Sequence, residues 1–131
     1  MLVPAPPDHS NDGIHSIDFY TVDQYGNREV ATPSCAVKID TTPPRTSDDS
    51  PDEWSQRDVV LHLRTLDNLS PCVTRYRVDE GSWQTGHRLV IPAALDKSND
   101  GIHVIEYYGT DAAGMTSLCP VCQEPSSTLY L

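Results

Sequence analysis

The sequence predicts an all-β fold: an antiparallel β-sandwich of about seven strands, preceded by a partial repeat that forms a β-hairpin. Three features carry this reading. Eleven Pro and seven Gly are scattered among short Val-, Ile-, Thr- and Tyr-rich runs, the punctuation of strands and turns rather than of helices. Within the runs, apolar and polar letters alternate with the period of two that buries one face of a strand. The runs return about every ten residues, the spacing of a sandwich.

The chain also repeats itself at long range. DHSNDGIH starts at Asp8 and DKSNDGIH at Asp96, and the pairs Tyr20 and Tyr108, Asp23 and Asp111, and Gly26 and Gly114 keep the same separation of 88. A spacing held across strand and turn letters marks a duplicated unit. Extended backward, VPAPPDHSNDG from Val3 lies over IPAALDKSNDG from Ile91. Residues 1–40 are therefore expected to be the C-terminal half of a truncated preceding repeat, and residues 54–131 a complete one. Residues 41–53 open on the stiff Pro43-Pro44 pair and continue Ser- and Asp-rich, so they are expected to be a linker. Its acidic run, Asp48, Asp49, Asp52 and Glu53, reads as solvated chain. The whole is expected to be a piece of a tandem array, with Met1 an artificial start or a clipped end.

The elements of the complete unit follow in order. DVVLHLRTLD turns Val59, Leu61 and Leu63 to one face. CVTRYRVDEGSW sets Cys72, Thr74, Tyr76 and Val78 on one side, leaves Arg75 and Arg77 to water, and ends in a turn. HRLVIP is a short strand, DKSNDG a turn, and IHVIEYYGTD a longer strand that leads through DAAGM to a last strand.

The twice-written octet has the oxygen-rich look of a calcium loop. An EF-hand requires a bidentate Glu at its twelfth place, where the two copies carry Phe19 and Tyr107. The expectation is a structural turn: Asn11, Asp12 and Gly13 in one copy, Asn99, Asp100 and Gly101 in the other, with the glycine supplying positive φ for a tight strand-to-strand connection. His15 shares a face with Ile17 and Phe19, and His103 with Ile105 and Tyr107. Each is expected to be a packed, hydrogen-bonded histidine and not a base.

No phosphate loop, GxSxG elbow or HExxH helix occurs, and the consecutive Asp8, His9 and Ser10 point apart, so no catalytic residues are expected. A net charge of −10, from 19 acidic against 9 basic residues, argues against nucleic acid and anionic membranes as partners. No apolar run is long enough to insert into a bilayer, and MLVPAPPDHS lacks the pattern of a signal peptide. CPVC is half of a zinc site without its other half. Trp54 and Trp83, with Tyr107 and Tyr108, could stack on sugars, although core packing and a cross-strand aromatic pair explain them more economically.

Taken together, DGIHVIEYYGTDAAG, TRYRVDEGSWQTG and the joint VKIDTTPP resemble the Ig-like or fibronectin-III-like repeats of bacterial secreted and surface proteins, among them those of a leptospiral matrix-binding outer-membrane protein. The resemblance covers nearly the whole chain in two pieces. It departs where Met115 stands in place of the asparagine kept at Asn27, and where CPVCQEP replaces an alternating strand like CAVKID. It implies an Ig-like sandwich and a non-catalytic extracellular module, a spacer, stalk or adhesive unit. Its partners would be neighbouring repeats and a host matrix protein or polysaccharide. In adhesin-type repeats of this kind calcium stiffens the junctions, which implicates Asp23, Asp40 and Asp111, with Asp40 and Asp23 the expected pair; no other cofactor is expected. The rival reading is a carbohydrate-binding accessory module of a secreted glycosidase, stacking ligand on Trp54 and Trp83. If each whole unit carries one disulfide, the expected pair is Cys72 with Cys122, with Cys119 the second choice and Cys122 the counterpart of Cys35. Such a bridge is worth up to ~4 kcal/mol and belongs in an oxidising compartment.

Overall fold

The computed structural model describes residues 1–117 and the backbone of Ser126–Tyr130. It divides into two compact units, Met1–Thr41 and Thr42–Leu131. Every strand pairing is antiparallel, and the fold is all-β, as the sequence predicts.

The first unit is built on a single hairpin. Strand β1 (Gly13–Asp18) pairs with β2 (Ser34–Ile39), from Gly13 opposite Ile39 to Asp18 opposite Ser34. Asp12 closes the end near Gly13, its Oδ1 accepting from the Thr41 amide at 3.0 Å and the Thr41 hydroxyl at 2.6 Å. Ile17 is only half-buried and Phe19 is 50% exposed, because a two-stranded sheet has no second layer to cover its apolar face.

The second unit is a β-sandwich of seven strands among the described residues. One sheet is β3 (Arg45–Asp48), β4 (Val59–Leu66) and β7 (Arg88–Ile91), in the order β3-β4-β7. The other is β5 (Cys72–Val78), β6 (Gln84–Thr85), β8 (Ile102–Asp111) and β9 (Ser126–Tyr130), in the order β6-β5-β8-β9. Alternation puts Val59, Leu61, Leu63, Leu89 and Ile91 on the inner face of the first sheet, and Tyr76, Ile105 and Tyr107 on that of the second. Together they form one buried core, with Val78 at its margin. Leu61 and Ile105 have no exposed surface.

Polar groups fasten one end of the sandwich. The hydroxyls of Thr46 and Thr65 lie 3.0 Å apart, and those of Thr65 and Thr74 2.8 Å apart, so a chain of hydroxyls crosses from β3 through β4 to β5. Gly109 on β8 packs against it so closely that a Cβ there would stand 2.2 Å from Thr65 Cγ2. At that position glycine is required for lack of room, not for backbone freedom.

Some expectations need correction. The stretch 41–53 is not a linker throughout, because β3 lies inside it and the Pro44 side chain is fully buried. Two of its acids, Asp48 and Asp49, are not merely solvated, whereas Asp52 and Glu53 are exposed. Asp48 accepts from the Tyr107 hydroxyl at 2.5 Å and from Ser50, while Asp49 accepts from the His62 amide at 2.6 Å and from His62 Nδ1 at 2.9 Å. Polar letters conceal a strand when its partners are hydroxyls and backbone rather than apolar side chains. In the second unit the octet connects β7 in one sheet to β8 in the other. Lastly, Cys35 faces Ile17, whereas Ile105, the counterpart of Ile17, faces Ser127. The equivalent of Cys35 is thus Ser127 and not Cys122, because the partner strand joins 22 residues on in the second unit and 18 in the first.

Candidate cation site and exposed aromatic face

The octet builds one turn twice. In each copy an asparagine amide reaches back seven residues to a proline carbonyl, Asn11 to Pro4 at 2.5 Å and Asn99 to Pro92 at 2.7 Å. Gly13 and Gly101 take φ of 144° and 153°. The histidine that follows donates Nε2–H to the asparagine carbonyl, at 2.9 Å for His15 and 3.0 Å for His103. Asp8 and Asp96 each accept from the amide two residues on, at 3.1 and 3.0 Å, which closes the turn locally. The histidines differ beyond that point. His103 also donates Nδ1–H to Asp79 Oδ2 at 2.7 Å, while Asp79 Oδ1 accepts from the Val104 amide at 2.9 Å. With carbonyl and carboxylate as its two acceptors, the buried ring is an imidazolium. The Asp79 hydrogen bond raises its pKa above the ordinary histidine value against the opposing effect of burial. Burial likewise pushes Asp79 up, but the His103 hydrogen bond, the Val104 amide and the imidazolium charge outweigh it and hold the carboxyl low. His15 has no Nδ1 partner among the described residues. His103 is buried and His15 half-buried.

The second duplicated feature is the turn at Asp23 and Asp111. Gly26 N–H bonds to the Asp23 carbonyl as Gly114 N–H does to that of Asp111, and the bridges Val22–Arg28 and Thr110–Thr116 match at the same separation. The carboxylates then diverge. Asp23 is exposed; its Oδ1 accepts from the amides of Tyr25 and Asn27, and its Oδ2 from the Asn27 side-chain amide at 2.8 Å. Those bonds, the Asn27 side chain foremost, lower its pKa. Asp111 is only 6% exposed. Its Oδ1 accepts from the Met115 backbone amide at 2.8 Å, but methionine has no side-chain amide to offer the other oxygen. Asp111 Oδ2 is consequently buried with no hydrogen-bond partner among the described residues.

What lies opposite is another acid. Asp67, in the turn between β4 and β5, uses Oδ1 to accept from the amides of Leu69 and Ser70, both at 2.9 Å. A carboxylate oxygen of Asp67 and one of Asp111 lie within 4.8 Å of each other. Two ionised carboxylates at that separation repel by about 3 kcal/mol at an effective dielectric of about 20. A hard divalent cation turns that repulsion into coordination, since calcium takes six to eight oxygens from carboxylates, carbonyls and water.

Asp23 and Asp40 are the calcium pair expected from the sequence, with Asp111 the third acid implicated. Both oxygens of Asp23 are engaged in its own turn, and Asp23 belongs to no group of three metal-ligating side chains among the described residues. Asp40 follows directly on β2. Asp67 was not legible as a ligand, because its opposite number is 44 residues away in the chain. The one available signal was Met115 in the place of Asn27.

The tryptophans are not in the core. Trp54 is 66% exposed and Trp83 43%. Trp83 meets Tyr108 edge-on with ring centroids 5.0 Å apart, and the Arg77 guanidinium lies 4.9 Å from its centroid. Arg77 is held in place by Glu106 through two bonds of 2.6 Å. The aromatic contact thus joins Trp83, in the loop just ahead of β6, to Tyr108 on β8, with a cation beside the ring. Of the cysteines, Cys72 opens β5 with its thiol donating to the Ser70 carbonyl at 3.6 Å, and Cys35 is exposed on β2. Cys119 and Cys122, the expected partners of Cys72, lie outside the described residues. Among the described residues no helix is long and apolar enough to cross a membrane. A comparison of the chain with protein-family models, curated proteins and solved structures finds no match.

Proposed function

We propose that this chain is a non-catalytic module of a tandem-repeat extracellular protein, a spacer or adhesive unit whose complete sandwich is tightened by calcium at Asp67 and Asp111. The observation that carries this is the buried Asp111 Oδ2, without a hydrogen-bond partner among the described residues and facing a second carboxylate. The 88-residue repetition and the hydrogen bonds that hold both histidines to their turns support the structural part of the reading. The extracellular setting and the Cys72–Cys122 bridge rest on the resemblance and the cysteine pattern.

The test is thermal unfolding of the chelator-treated protein with and without calcium. A ligand at 100 times its Kd adds about 2.7 kcal/mol to the folded state, and saturating calcium is expected to raise the Tm accordingly. Asp111→Asn should abolish the rise. Met115→Asn, which offers Asp111 Oδ2 the amide that Asn27 offers Asp23, should weaken it. A Tm indifferent to calcium in the unaltered chain would remove the site from the proposal.

A second reading, a carbohydrate-binding accessory module, draws on the exposure of Trp54 and Trp83. A tryptophan emission shift on adding soluble polysaccharide, lost in Trp83→Ala, would favour it over the spacer.

A further inference from the structure

Strand β8 is paired along both edges, with β5 on one side and β9 on the other. Among the described residues its copy β1 is paired along one edge only, with β2, the counterpart of β9. The second unit thus records what the remaining edge of β1 is built to receive. In it Tyr76, Arg77 and Val78 of β5 stand opposite Tyr107, Glu106 and Ile105. Eighty-eight residues earlier these positions are Phe19, Asp18 and Ile17, again aromatic, acid and aliphatic.

The matched groups are those left wanting. Glu106 takes the Arg77 fork in two bonds of 2.6 Å, while Asp18 is exposed. His103 has Asp79 on its Nδ1, while His15, bonded to its asparagine carbonyl in the same way, has no Nδ1 partner among the described residues. Phe19 is 50% exposed where Tyr107 is 6% exposed. One incoming strand with the pattern aromatic, Arg, aliphatic, Asp would answer all of these at once, in the antiparallel register that β5 already uses.

We infer that the open edge of β1 is a docking site for an antiparallel strand of the β5 type, YRVD, which would set its Arg against Asp18 and its Asp against His15. Strand addition to a free edge draws affinity from main-chain hydrogen bonds and specificity from alternate side chains. The inference rests on the repeat reading above, but not on calcium.

A chain carrying a second copy of residues 42–90 directly ahead of Val3, which restores the period of 88, provides the test, read by amide hydrogen exchange in Ile14 to Asp18. Exchange there is expected to slow by at least about tenfold relative to the unextended chain, because a docked edge opens only with the larger unit. Arg77→Glu in the added copy should reverse most of the protection, and Asp18→Arg in the same chain should restore it. This charge exchange keeps the result interpretable where one substitution alone disturbs folding. Unchanged exchange in the extended chain would overturn the inference, as would protection indifferent to the charge pair. Protection that appears in the unextended chain and rises with its concentration, together with a dimer on sedimentation, would overturn it in favour of a second copy as occupant. Calcium-dependent Tm is measured on the same chains, so failure of docking and failure of the cation site are told apart.

Discussion

Ile17 and Ile105 hold the same place in the two copies, after the same turn and the same histidine, yet one is half-buried and the other has no exposed surface. The same contrast runs along the strand through Phe19 and Tyr107. Local sequence specifies the turn and the alternation equally well in both units. Burial follows from what stands opposite, which is β4 and β7 in the second unit and no sheet of its own in the first. A duplicated stretch therefore separates the contribution of local letters from that of the opposing layer within one molecule.

The largest effect that would break this comparison is on the core itself. Ile105→Ala removes a side chain with no exposed surface, and is expected to cost about 2–5 kcal/mol in urea unfolding. Ile17→Ala, at a half-buried position, should cost less, about 1 kcal/mol or under. Equal losses would mean that the first unit has a core after all.

Next comes Gly109, whose counterpart is Thr21. Gly109→Ala forces a methyl to within 2.2 Å of Thr65 Cγ2, with an expected loss of roughly 1–3 kcal/mol from overpacking. Thr21→Gly, on an exposed residue, should change the midpoint little.

The His103–Asp79 pair sharpens the contrast through pH. His103 has a raised pKa, so its contribution is complete below the unfolded histidine value and is lost as pH rises through the folded one. Asp79 has a lowered pKa, so its contribution is complete above the unfolded carboxyl value and is lost as pH falls through the folded one. The pair is therefore expected to stabilise the second unit most strongly between those limits, in mildly acid solution. His103→Gln should flatten the alkaline side of that profile. The smallest effect is expected from removing residues 1–41, which should leave the melting of the remainder nearly unchanged; loss of cooperative unfolding would show that the hairpin belongs to the sandwich.

Much of the fold was legible because strands with one buried face advertise it. The runs from Val59, Cys72, Arg88 and Ile102 each alternate, and each forms the strand expected. Strand β3 was missed because Thr46 and Asp48 face inward to hydroxyls, which leaves no apolar period to read. The position of β9 was not legible, because its pairing with β8 falls 22 residues on where β2 pairs with β1 at 18. The tryptophans misled in another way: large aromatic letters suggest a core, but Trp83 is satisfied on the surface by Arg77 and Tyr108.

The sequence by itself determined the all-β class, the duplicated turn and the inward face of each alternating strand, since these depend on neighbours two to seven residues apart. The tertiary structure alone decided that Asp111 meets Asp67, that His103 meets Asp79 and that Gly109 must remain bare. Those outcomes depend on which distant segments the two sheets bring together, and no local period encodes a partner forty residues away.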